Sequence, residues 1–240
     1  MPLLIVALFL RWLPLSAITS PEGIYQYILG GNAYWFVIDY IALIIISPLL
    51  NKGFDMMTRK QCGTMLIALY LLIALYDFAL RSPVLGVEGG YSLLWFAFLY
   101  LLARYMRSYD ISPVYRHRYA ILAASVFLQS VLFYFEFIGL RYTNPLILLE
   151  AVCLILIFKD WDFYNRSINY AATGALMAYL LHMHPLLVPY ISRFLAQLYA
   201  AYGYWLYMAV SFGMSIVLFV VAVFLNKAHS SAYNRLTRCF

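Results

Sequence analysis

A chain of 240 residues with 65% hydrophobic and only 11% charged side chains cannot cover a water-soluble globule, since a soluble domain carries about 25% charged residues. Its net charge of +6 sits in short connections between apolar runs, which points to membrane topology and away from a nucleic-acid partner. Cys62, Cys153 and Cys239 are dispersed and odd in number, so they give neither a zinc spacing nor a disulfide framework, and no metal site is expected.

The first apolar run, residues 3–18, has Arg11 at its middle and no basic lead, unlike a secretion signal. A loop with Pro21, Glu22, Gly30 and Gly31 leads to a second run, Ala33 to Leu50, which holds Asp39 and Pro48. Asn51 to Gln61 is a basic loop, and Cys62 to Leu80 a third run with Asp77 near its far end. The fourth, Tyr91 to Ala103, opens on Glu88-Gly89-Gly90 and closes on Arg104 and Arg107. No polar face interrupts it, as one would in a soluble amphipathic helix.

Arg104 to Arg118 is the most basic connection, and Tyr119 to Leu140 is a fifth run with Glu136 near its end. After a turn at Arg141-Tyr142-Thr143, Asn144-Pro145 starts a sixth run that holds Glu150 and continues to Phe158, since asparagine before proline is a sound helix start. Ile168 to Tyr190, with His182-Met183-His184-Pro185, is a seventh, and Ala201 to Asn226 an eighth. The expected fold is therefore all-α, a polytopic transmembrane bundle of about eight helices forming one integral membrane domain over residues 1–240.

Charge sets the expected orientation. One set of alternate loops and the tail carry Lys52, Arg59, Lys60, Arg104, Arg107, Arg116, Arg118, Lys159, Arg166, Lys227, Arg235 and Arg238; the opposite loops carry Arg81, Arg141 and Arg193. The basic set is placed in the cytoplasm, with both termini. Arg235-Leu236-Thr237-Arg238 reads as a topology anchor that can meet anionic lipid.

This arrangement gathers Asp77, Glu88, Glu136, Arg141 and His182 on the outer side as a candidate polar site for an acceptor. Each could instead be an interfacial charge that pairs locally. His182 and His184 do not share a helical face, so they are poor joint metal ligands. Arg104 and Arg107, on the basic side, are candidate contacts for the phosphates of a donor. No phosphate loop, dinucleotide fingerprint, zinc-protease helix or nucleophile elbow is present.

Five stretches carry a resemblance: residues 34–40 (Tyr34 to Tyr40), Ser47-Pro48-Leu49-Leu50-Asn51-Lys52, residues 89–96 (Gly89 to Phe96), Asn144-Pro145-Leu146, and Tyr179-Leu180-Leu181-His182. In type and order they resemble the acyltransferase 3 family, over roughly residues 30 to 200. The resemblance implies a multi-helix enzyme of the bacterial inner membrane. Its members transfer an acyl group, commonly acetyl, from cytoplasmic acyl coenzyme A as co-substrate to a hydroxyl of a surface polysaccharide or glycolipid, with no bound cofactor.

Members of that family have about ten membrane helices, and an early one carries a basic residue eleven positions before an essential histidine. Here the residues eleven before His117, His182, His184 and His229 are Met106, Ala171, Thr173 and Leu218. The catalytic residues therefore stay unassigned, and the chain is expected to be the C-terminal portion of such a domain, inactive alone and completed by further N-terminal helices or a membrane partner. A transporter or flippase, and a non-catalytic assembly subunit, are the competing classes.

Overall fold

The computed structural model describes residues 31–109, 111–137, 141–185 and 187–237. The run that holds Arg11 lies outside the described residues, as do Cys239 and the end of the basic tail. Every regular element among the described residues is helical.

The chain forms two units, Trp35–Phe163 and, separately, Tyr34 together with the chain from Tyr164 onward. The first contains α1 (Trp35–Asp55), α2 (Arg59–Ile73), α3 (Leu93–Ser108), α4 (Ser112–Tyr134) and α5 (Pro145–Phe158). Local chemistry sets the helix starts. Thr58 and Gln61 form a reciprocal capping box at α2. Ser92 Oγ accepts from the Trp95 amide at α3, and Asn144 Oδ1 accepts from the Leu146 amide at α5, where Pro145 fills the first turn.

Phe54, Cys62, Leu66, Ile73, Val87, Trp95, Phe98 and Leu101 form the buried core of this unit. Stacked rings run through it, with Trp95 on Phe98 at 5.2 Å and Phe98 on Tyr70 at 5.6 Å. The helices alternate in direction. At one end Arg104 of α3 meets Asp55 of α1, and Arg118 of α4 meets Asp160 just beyond α5. At the other, Asp77 beyond α2 meets Gly89 before α3 and Thr143 before α5.

The second unit contains α6 (Arg166–Ala172), α7 (Ala175–His182) and α8 (Val188–Thr237), the last broken at Gly203 with φ 77° and ψ −173°. The expected seventh span is interrupted. Gly174 separates α6 from α7, and α7 ends in a turn at residues 183–185, before α8. At the first of these breaks the packing is close: a Cβ on Gly174 would lie 2.7 Å from Val223 Cγ2 and 2.9 Å from Val223 Cα. The backbone of this corner thus rests against α8.

Three stretches, Trp35–Asp55, Arg59–Ala79 and Val188–Ser231, are long and apolar enough to cross a membrane. The sixth run forms a helix over Pro145–Phe158, as expected, but its 14 residues rise only about 21 Å. The fifth is displaced: α4 begins at Ser112, ahead of the apolar stretch, and ends at Tyr134.

Candidate functional site

The most connected polar group among the described residues is Asp77, whose side chain is 3% exposed. It lies in a π-helical turn, Ala74–Ala79, that extends α2. The wider turn is closed by the Leu80 amide on the Leu75 carbonyl at 2.9 Å and the Ser82 amide on the Tyr76 carbonyl at 2.7 Å. Arg81, at φ 51°, ends it. The Asp77 carbonyl is thereby left to accept from Arg141 Nη1 at 2.8 Å.

Both carboxylate oxygens of Asp77 are engaged. Oδ1 accepts from the Gly89 amide at 2.8 Å and from Arg141 Nη1 at 3.1 Å, and Oδ2 accepts from Thr143 Oγ1 at 2.6 Å. An ionised carboxylate is an acceptor only, and these donors satisfy it. The Gly89 amide reaches it because Gly86, Glu88, Gly89 and Gly90 all have positive φ, which folds the connection back onto the end of α2. The Tyr142 amide donates to the Gly89 carbonyl at 3.0 Å, and Tyr70 Oη donates to the Thr143 carbonyl at 3.2 Å. Asn144 Nδ2 donates to Gln129 Oε1 at 2.9 Å, which joins α4 to the same network.

Of the residues proposed for the acceptor side, Asp77 and Arg141 are in contact. Glu88 is exposed and adjoins the cluster through Gly89; Glu136, at φ 58°, is exposed beyond α4. His182 belongs to the other unit, where it is exposed and its Nδ1 lies 2.9 Å from the Ala178 carbonyl one turn back. There it borders an apolar groove of about 800 Å³ whose lining includes Leu181, Ile191, Tyr207 and Met214. Thr143, Gln129 and Tyr142 were not anticipated from sequence; the only hint was the position of Thr143 and Tyr142 in the turn before the Asn144 cap.

At the opposite end of the first unit, Arg104 is bonded to Asn51 Oδ1 and pairs with Asp55 at 2.6 Å, with its guanidinium over the Phe54 ring. Arg107 is exposed in the last turn of α3. Arg118 pairs with Asp160 at 2.7 Å, and Tyr115 Oη donates to the same carboxylate at 2.7 Å. That hydrogen bond, with burial and the negative charge of Asp160 adding to it, raises the Tyr115 phenol above its usual pKa. Within α5, Glu150 Oε1 is enclosed and accepts no hydrogen bond among the described residues. No group of three or more His, Cys, Asp or Glu residues is placed to hold a metal among the described residues.

These features define a membrane-associated, largely helical protein with several long apolar helices. No protein-family model, curated protein or solved structure matches the chain.

Proposed function

We propose that this chain is part of a membrane O-acyltransferase that moves an acyl group, in the simplest case acetyl, from cytoplasmic acyl coenzyme A to a hydroxyl of a surface polysaccharide or glycolipid. The reading places it in a bacterial inner membrane with about eight crossings, both termini in the cytoplasm and the Asp77 cluster on the outer side.

The observation that carries the proposal is how the resembling stretches are used. Within the first unit, Trp35 packs edge-on against Tyr91 at 4.5 Å, and the Gly89 carbonyl accepts from Tyr142, two residues before the Asn144-Pro145 cap. Within the second, Tyr179 Oη donates to the Ala33 carbonyl and Tyr34 Oη to the Leu180 carbonyl, each at 2.9 Å. Segments far apart in sequence are thus neighbours in the fold. The opposite end, with Lys60, Arg107 and Arg116 exposed, supplies positive charge suited to the phosphates of coenzyme A. No residue is given the role of catalytic base. His182 is assigned to orienting the sugar hydroxyl.

The test compares surface-glycan acyl content in strains with and without the locus. Loss of acyl groups, restored by the intact locus, supports the proposal. Unchanged acylation with lost export of a glycan would replace it with a transporter, and loss of neither with an assembly subunit.

A further inference from the structure

Close to Asp77, two half-exposed rings lie against each other, one of them on the residue that follows Arg141. Tyr91 is 47% and Tyr142 48% exposed, and their centroids lie 5.3 Å apart, edge to face. Neither ring hangs loosely from the surface. Tyr91 is backed by Trp35, and Tyr142 is tied through its amide to Gly89 and packed at its Cβ over Gly90. A Cβ on Gly89 would lie 3.8 Å from the Tyr91 ring and 3.9 Å from the Arg141 stem, so the ring and the arginine both border one backbone position.

Arg141 spends only Nη1 on Asp77. Its side chain remains 37% exposed, and its Nη2 and Nε edge makes no hydrogen bond among the described residues. Charge then selects the ligand. Arg141 is neutralised by Asp77, and the exposed acid Glu88 directly precedes Gly89 in the chain, so the surface has no excess of positive charge with which to hold a phosphate or carboxylate. What remains is a fixed fork of N–H donors next to apolar ring surface. This suits a neutral molecule that has hydroxyls on one edge and C–H groups on a face.

We propose that Tyr91, Tyr142 and Arg141 form a binding subsite for an uncharged pyranose ring, with the C–H face against the tyrosines and ring hydroxyls accepting from the free edge of Arg141. It rests on the acyltransferase reading only in taking this sugar for the acceptor. A belt of interfacial tyrosines is the competing account, but such rings have no need of the glycines that pin these two together. Prior fixing of the rings lowers the ordering penalty on binding.

The test uses the full chain in lipid nanodiscs, without any acyl donor. Saturation-transfer difference NMR would be recorded with the methyl glycosides of glucose, galactose, rhamnose and N-acetylglucosamine, and with methyl glucuronide and glycerol 3-phosphate as anionic probes. At least one neutral glycoside should receive saturation at its ring C–H protons. Tyr91→Leu and Tyr142→Leu should each weaken that binding by about fivefold, while Tyr91→Phe retains it. Circular dichroism and elution profile verify folding. Tyr91→Leu keeps the test decisive even where a change at Arg141 unfolds the protein, because it leaves every bond to Asp77 in place. Transfer to no neutral glycoside, transfer to the anionic probes alone, or equal binding by the leucine variants overturns the proposal. Acyl content of the glycan is a separate readout, so sugar binding without acyl transfer would reject the acyltransferase reading and leave the subsite standing.

Discussion

Gly90 lies directly beneath Tyr142: a methyl group on its Cα would come within 2.6 Å of the Tyr142 Cβ and 3.2 Å of Trp95 Cδ1. Its φ of 105° is also one that side chains other than glycine's rarely adopt. Gly90→Ala should therefore destabilise the protein by about 3 kcal/mol, from backbone strain and overpacking together. Gly53→Ala is the matched control, since nothing lies within 4 Å of the added methyl. It sits in α1 and should stabilise by up to about 1 kcal/mol. Equilibrium unfolding in bicelles would measure both, and equal effects would contradict the packing.

Asp77 should be the most sensitive polar position. Asp77→Ala strips acceptors from the Gly89 amide, Thr143 and Arg141. Removing one partner of a buried pair costs about 3–5 kcal/mol; because Arg141 is 37% exposed, about 3 kcal/mol is expected here. Thr143→Val, which removes one donor, should cost about 1–2 kcal/mol. In a double-mutant cycle Asp77→Ala and Thr143→Val should be clearly less than additive, and strict additivity would deny the contact.

Tyr115 gives a pH dependence with a defined sign. It lies ahead of the apolar stretch that begins at Tyr119, and its raised pKa comes first from the hydrogen bond to Asp160. The fold thus favours the protonated phenol, and the stabilisation is complete below the ordinary tyrosine pKa of about 10. It is lost as pH rises through the higher folded-state value. Relative to wild type, Tyr115→Phe should be less stable near neutral pH, and the gap should close above pH 10. A gap that widened with pH would reverse the assignment.

Orientation can be read with reporter fusions at Gly86 and Arg116. The charge distribution predicts an outer location for Gly86 and a cytoplasmic one for Arg116. The opposite result at both sites would place the Asp77 cluster inside the cell and remove the basis for an acceptor site there.

The elements most legible from sequence were those set by local chemistry. Asn144-Pro145 named both the start and the cap of α5, because the asparagine bonds to an amide only two residues away. Asp77 and Arg141 could be singled out as charges near the ends of apolar runs, yet their contact spans 64 positions and leaves no periodic trace. Arg104 was legible as a topology marker, but its partners Asn51 and Asp55 were obscured because the lysines and arginine around them read as a basic loop over Asn51 to Gln61, whereas α1 continues to Asp55. The break at Gly174 was invisible to hydropathy, which sees composition and cannot see the approach of Val223 from 49 positions further on.

The break at Gly203 has a consequence for reach. Residues 204–226 rise about 34 Å, enough to traverse a hydrocarbon layer of about 30 Å, and the helix then continues through Lys227 to Thr237. If the limb crosses without strong tilt, its helical backbone continues about 16 Å past the apolar layer. The position of the break at Gly203 would thus set how far the helix reaches beyond the apolar layer.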